Sequence, residues 1–192
     1  MKKSLGAKTL LYPTPVMVVG TYDAEGRANA MTVAWGGIVC SKPPCVSVSI
    51  RASRASHANI TARKAFTVSL PSQKHTAHAD YFGIASGRDH DKFAQTSLTP
   101  VRSDLVDAPY VGEFPLVLEC SVVGVHELGV HTLFIGEIVD VKVDEAMLTE
   151  DGRVDIALLK PILYAMDPGS YYAIGELVGS AYSIGKGFSA GA

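Results

Sequence analysis

Two long β-rich segments of the chain, Leu116–Leu128 and His131–Val143, are separated only by a short link at Gly129. So short a link predicts an antiparallel hairpin, because two parallel strands need a crossover of about a dozen residues or more. This pair constrains the fold more than any other feature of the sequence. It argues against a regular parallel array of strands and crossover helices.

Further strands are predicted wherever β-branched residues recur between turn residues. In Cys45–Ile50, three apolar residues alternate with two serines, which is the period-two pattern of a half-buried strand. The other predicted strands are Val16–Tyr22 and Arg27–Val39 (a hairpin), Ala65–Leu70, Leu98–Arg102 and Val154–Ala157, and the predicted helices are Ser56–Lys64 and His75–Ala85. Many strands and few helices predict a mainly β fold, a closed antiparallel barrel with peripheral helices.

Length, charge and cysteine count exclude several classes of protein. The 192 residues fit one domain, 1–192, with an N-terminal arm at 1–10 and a flexible tail at 187–192. A net charge of −2 argues against nucleic acid as the main partner, since duplex binding relies on excess Lys and Arg. The sequence has no run of about 18 apolar residues, no apolar signal segment and only three cysteines. We therefore expect a cytoplasmic protein that has no membrane partner.

The segment Asn29–Trp35 is the first candidate for a binding site. Its side chains are mostly apolar, with Asn29 and Thr32 among them. One interpretation is a core strand that happens to carry two polar residues. The other is a wall whose backbone N–H and C=O groups border a planar ring such as an isoalloxazine, where donors stabilise the charge of the reduced ring.

The segment Ser53–His57 follows the third strand and carries Ser53, Arg54 and Ser56. It is consistent with a plain helix start capped by Ser56, and Arg54 could point to solvent. Hydroxyls and a guanidinium at a helix N-terminus also suit a phosphate group. Farther along, Lys92 lies in a polar loop that is either a solvated turn or a source of a second phosphate contact.

Histidines and cysteines are less informative. His75 and His78 are spaced to share one helix face, but no third ligand stands out, and we expect no metal site. No nucleophile elbow, phosphate-binding P-loop or dinucleotide fingerprint is present, so a separate nicotinamide-binding domain is not expected. His131 begins a long strand, either as a structural histidine or at the mouth of a ligand slot.

Together these motifs resemble the flavin reductase-like, FMN-binding split-barrel family, nearest to its flavoredoxin and ferric-reductase members. The matching pieces span roughly residues 10–186, and they are Asn29–Trp35, Pro43–Pro44, Ser49–Arg51 leading to Ser56–His57, Gly87–Phe93, His131–Val139 and Tyr171–Glu176. Their order and spacing carry the resemblance. It implies a six-stranded Greek-key split barrel that forms a homodimer, with FMN near the subunit interface.

The resemblance also implies a role for each matching residue. Those expected to border the cofactor ring and its side chain are Asn29, Ala30, Met31, Thr32, Val33, Trp35, Ser49, Ile50 and Arg51, with His57 nearby. Those expected at the phosphate are Ser53, Arg54, Ser56 and Lys92, although Arg51 and Arg54 could exchange roles. His131 would lie on the nicotinamide side.

Three functions follow as hypotheses. The first is an oxidoreductase that accepts hydride from NAD(P)H and passes electrons to flavin, ferric complexes or a redox partner. The second is a non-catalytic FMN electron carrier that another protein reduces. The third is a dimeric β-barrel that binds no flavin.

Overall fold

A computed structural model describes residues 1–188 of the chain. The strands are β1 (Thr14–Pro15), β2 (Met17–Tyr22), β3 (Ala28–Val33), β4 (Gly36–Ser41), β5 (Pro44–Arg51), β6 (Ala65–Leu70), β7 (Pro100–Arg102), β8 (Pro109–Val111), β9 (Leu116–Leu128), β10 (His131–Val143), β11 (Ile162–Ala165) and β12 (Ser170–Ala173). The helices are α1 (Ala55–Arg63), α2 (Thr76–Ile84), α3 (Lys92–Thr96) and α4 (Ile156–Leu159), with short 3-10 turns at Gln73–His75, Glu145–Met147 and Ile184–Phe188.

The main sheet has seven antiparallel strands in the order β3-β2-β6-β9-β10-β5-β4. Its first and last strands do not pair with each other in the part of the chain that the structure describes. The closed barrel expected from the strand pattern alone is therefore wrong, and the curled but open sheet confirms the split β-barrel that the family resemblance implies. The β9–β10 hairpin at its centre confirms the antiparallel prediction, with His131 opposite Leu128 and Val143 opposite Leu116.

A small sheet, β1-β11-β12, brings the N-terminal and C-terminal thirds of the chain together. Thr14 pairs with Tyr164, and Tyr164 in turn pairs with Tyr171. This sheet lies beside the main one and forms one side of the site described below. The third sheet is the short β7–β8 pair.

Strand β2 separates two hydrophobic clusters, and the period-two alternation of its side chains explains why both of its faces are buried. Met17 and Val19 enter the cluster inside the curled sheet, together with Val46, Val48 and Ile50 of β5. Val18 of β2, and Val16 directly before the strand, enter the second cluster, which includes Ala79 and Phe82 of α2. The sheet is thus covered by helix α2 on its outer side.

Three predicted element boundaries were wrong. The predicted strand Arg27–Val39 is interrupted at Ala34–Trp35, where the Trp35 carbonyl oxygen accepts a hydrogen bond from the Ser49 amide, 2.8 Å away. The predicted strand Val154–Ala157 is only one bridge, from Val154 to Leu148, before α4 begins with Asp155 as its N-cap.

The start of α1 also differs from the prediction. Arg54, not Ser56, occupies the N-cap position. Ser56 is fully buried in the first turn, where its Oγ accepts a hydrogen bond from Asn29 Nδ2 at 3.0 Å. The hydroxyl is therefore used between two elements instead of at the helix end. Of the predicted flexible tail 187–192, the last four residues lie outside the described residues.

Among residues 1–188, no helix combines the length and the apolar character needed to cross a membrane.

Candidate functional site

A cleft of about 650 Å³ opens between the main sheet and the small sheet. Nine of the residues predicted for a binding site line it: Met31, Thr32, Val33, Trp35, Ser49, Arg51, Ser53, Arg54 and His131. The volume lies within the usual range for small-molecule sites, roughly 300–1,000 Å³. Residues from β3, β5, β10 and the start of α1 thus meet around one concave surface.

Strand pairing brings the long-range members of the cleft together. In the β5–β10 ladder His131 lies opposite Arg51, although 80 positions separate them in the chain. Val46, Val48 and Ile50 point into the core, so the alternating residues Ser49 and Arg51 point to the opposite face of β5, which lines the cleft.

One end of the cleft is cationic. Arg51, Ser53 and Arg54 are exposed, and within residues 1–188 none of their side chains makes a hydrogen bond or ion pair. The Arg54 amide donates to the Arg51 carbonyl oxygen at 3.0 Å, which closes a turn directly before α1. Two guanidiniums and a hydroxyl are therefore grouped by one tight turn and left free to contact a ligand.

A buried polar layer lies beneath this cationic end. Asn29 and Ser56 face each other there, while Asn29 Oδ1 is buried without a hydrogen-bond partner in the described structure. Together with Met31, Arg54 and Lys92, these two residues border a void of only about 10 Å³. This unpaired Asn29 oxygen is therefore available to accept a hydrogen bond.

Lys92 belongs to this layer and not to the cleft surface, which corrects its predicted placement. Its side chain is 3% exposed, and its Nζ donates to the carbonyl oxygens of Ala30 at 2.7 Å and Phe82 at 2.9 Å. Burial, followed by the nearby Arg54 charge, lowers the Lys92 pKa to about 8. No carboxylate pairs with it among residues 1–188. Lys92 is the first residue of α3, whose N-cap is Asp91, and the two backbone carbonyls hold its side chain on the inner side.

Three other predicted residues also have side chains away from the cleft. Ala30 and Ile50 are fully buried in the two core clusters, because each alternates with a cleft-lining neighbour along its strand. His57 lies behind the cationic turn, where its Nε2 is 2.9 Å from Thr132 Oγ1 and its ring packs edge-on against Phe134. These residues support the wall of the cleft from within.

The small sheet supplies cleft residues that the sequence interpretation missed. Tyr171 donates a hydrogen bond to Asp80 Oδ1 at 2.8 Å, and its ring lies 5.7 Å from that of Tyr164. Burial and the bond to Asp80 raise the Tyr171 pKa. The missed residues are Val16, Ala34, Asp80, Gly83, Ser86, Tyr164, Gly169 and Tyr171. Two early signals existed, because Ala34 lies inside the candidate segment Asn29–Trp35 and Tyr171 lies in a family-like segment.

The protein-family model for the flavin reductase-like domain matches residues 9–174 of the chain. The chain belongs to the flavin reductase-like family. This confirms the resemblance drawn from the motifs, and the open antiparallel sheet agrees with the split barrel of that family.

Solved structures of two flavoredoxins are similar to this family member along almost their whole length. The flavoredoxin of Desulfovibrio vulgaris (Miyazaki F) is 52% identical, with a TM-score of 0.92 over 96% of this chain and 100% of the other. That of Methanosarcina acetivorans is 30% identical, with a TM-score of 0.91 over 98% and 99% of the two chains. An uncharacterized Archaeoglobus fulgidus protein is 35% identical over 76% of this chain and 80% of its own length.

Proposed function

We propose that this protein is an FMN-binding oxidoreductase whose cofactor binds in the cleft with its phosphate at the Arg51–Arg54 turn. The observation that carries the proposal is unbalanced positive charge. Arg51 and Arg54 are free of partners, and Lys92 is buried beneath them without a carboxylate in the described structure. A buried cation without a counter-charge is costly, so this end of the cleft favours an anion.

The residues of the cleft fit the parts of FMN by their chemistry. Met31, Val33 and Trp35 offer an apolar wall for a flat ring, as ligand pockets usually do. Ser53 and the two guanidiniums offer donors to a phosphate, and charge-assisted bonds of that kind are the strong ones. The nearby unpaired Asn29 Oδ1 can accept a hydrogen bond from a hydroxyl. Ser56 keeps the Asn29 amide in place.

Bound FMN would supply the two-electron chemistry, while the chain supplies binding, orientation and electrostatics. We propose NAD(P)H as the electron donor, with His131 on the side where the nicotinamide approaches. His131 supports this role because it lines the cleft beside Arg51 without belonging to the cationic turn. The electron acceptor would be flavin, a ferric complex or a redox protein.

Anaerobic addition of NADH to the FMN-loaded protein tests the donor. Rapid loss of the oxidised-flavin absorbance, followed in a stopped-flow instrument, would support the reductase. Loss only with dithionite or a protein partner would favour the electron carrier instead. In the His131→Ala variant we expect reduction by NADH to slow more than FMN binding weakens, and the reverse pattern would reject the role of His131.

We also propose that the protein is a homodimer. Strand β4 ends the main sheet, and it exposes Ile38 by 67% together with its neighbour Val39. An exposed apolar edge strand invites pairing unless something covers it. A second copy of the chain is the simplest cover.

A further inference from the structure

Two of the three cysteines face each other across the β4–β5 hairpin. Cys40 and Cys45 are direct partners in this antiparallel ladder, immediately outside the pair Ser41–Pro44 that closes the turn. Cys40 is exposed and Cys45 is buried, and both are free thiols. The third cysteine, Cys120, is fully buried in the core cluster, and its strand partners are Ile138 and Phe66 instead of either of these two residues.

The ladder puts both thiols on one face of the hairpin. Directly opposed residues of an antiparallel pair have Cα atoms about 4.5–5.5 Å apart and side chains on the same face. Disulfides need Cα separations of roughly 4.4–6.8 Å, so this register meets the requirement. Burial raises the Cys45 pKa first, and the Cys40 thiol facing it adds to the effect.

We propose that Cys40 and Cys45 form a reversible intramolecular disulfide when the protein meets a peroxide. The exposed Cys40 thiolate attacks the peroxide O–O bond, which leaves a sulfenic acid on Cys40 and releases water after protonation. Cys45 sulfur then attacks the Cys40 sulfur, the S–S bond forms, and the sulfenic oxygen leaves as a second water. Two thiols lose two electrons and two protons in total, and hydrogen peroxide accepts both.

The pair differs from an accidental oxidation site because each cysteine has a distinct task. Cys40 is exposed at the turn end of β4, beyond the Ile38–Val39 edge proposed for the dimer, and it is the thiol that an oxidant reaches. Cys45 is sheltered and held within reach of it by the ladder. Cys120 has no such partner in its register position, where it lies opposite Ile138 and Phe66. Burial raises the Cys120 pKa to about 12, which keeps it a protonated and unreactive thiol.

Mass spectrometry of the full-length protein after hydrogen peroxide treatment tests the proposal. We expect the loss of two hydrogen atoms per chain, a digest peptide that links Cys40 to Cys45, and return of both thiols with dithiothreitol. The Cys120→Ala variant should behave as the wild type does. In Cys45→Ala, Cys40 should instead accumulate as a sulfenic acid that dimedone traps.

Two results would overturn the proposal. One is a wild-type chain in which Cys40 gains oxygen atoms while Cys45 stays a free thiol. The other is a disulfide between the Cys40 residues of two chains. It would be seen as a dimer on a non-reducing gel, and Cys45→Ala would not prevent it.

Discussion

At the scale of single residues, the cationic end of the cleft contains both exposed and buried positive groups. Arg51 and Arg54 are free to contact a ligand, whereas Lys92 donates to two backbone carbonyls below them. Direct contacts and a longer-range positive charge should therefore be separable by mutation.

Removing the Arg54 guanidinium should weaken FMN binding but not riboflavin binding, because riboflavin lacks the phosphate. A charge-assisted hydrogen bond contributes about 1.5–3 kcal/mol, which corresponds to a loss of FMN affinity of roughly 10- to 150-fold. Fluorescence titration of Arg54→Ala with both flavins measures this. Arg153→Ala is the control, since Arg153 is exposed and pairs with Asp151. Equal losses for both flavins would show that Arg54 supports the fold and not the phosphate.

The lowered Lys92 pKa predicts that the ligand-free protein becomes more stable as pH rises from about 8 to 10.5. In this window the unfolded chain keeps a lysine proton that the folded chain has lost, so the free energy of unfolding increases with pH. Neutral Lys92 still has two N–H groups for its two carbonyl acceptors. Urea unfolding across this range measures the slope, which Lys92→Met should reduce. If the slope is unchanged in Lys92→Met, the pH dependence of stability comes from other groups.

FMN affinity should change in the opposite direction over the same pH range. A phosphate dianion beside the cationic turn favours protonated Lys92, so binding weakens as the pH rises through about 8 and that proton is lost. Titrations with FMN at pH 7 and pH 9 measure the change, with Lys92→Met as the matched variant. A pH dependence that survives in Lys92→Met would contradict the assignment.

At the scale of elements, the break between β3 and β4 shapes the cleft wall at Trp35. Gly36 permits this break because a Cβ at this position would lie 2.2 Å from the Ser47 carbonyl oxygen. At the next residue, Gly37, a Cβ would meet nothing within 4 Å. The two adjacent glycines thus form a matched pair for testing the approach of β4 to β5.

Gly36→Ala should destabilise the protein by roughly 1–3 kcal/mol, because the added methyl group forces the two backbones apart. Gly37→Ala should change the free energy of unfolding by less than about 0.5 kcal/mol, as surface substitutions usually do. Chemical denaturation of the two variants gives both values. Equal destabilisation in the two would show that the close approach at Gly36 does not constrain the hairpin.

Sequence patterns predicted the local part of this arrangement well. Alternation in β5 and the long β9–β10 hairpin are properties of neighbouring residues, so both were visible before the fold was known. The Asp80–Tyr171 contact joins residues 91 positions apart, and no local pattern encodes it. Lys92 was misplaced for a related reason, since its inward direction depends on the carbonyls of β3 and α2.

At the scale of the whole molecule, the exposed edge of the main sheet predicts self-association. Light scattering coupled to gel filtration should give the mass of two chains. Ile38→Lys should shift the protein towards the monomer, because a charge on the covered edge opposes pairing. Leu105→Lys serves as the control, since Leu105 is exposed on a loop away from that edge. A wild-type monomer, or an intact dimer in Ile38→Lys, would count against the β4 interface.

The most direct measurement of the central claim is equilibrium binding of FMN and of riboflavin to the wild-type protein. The account predicts that FMN binds and that its phosphate strengthens binding by roughly 10-fold or more, as charge-assisted contacts should. Binding of the two flavins with equal affinity, or no binding of FMN, would contradict it.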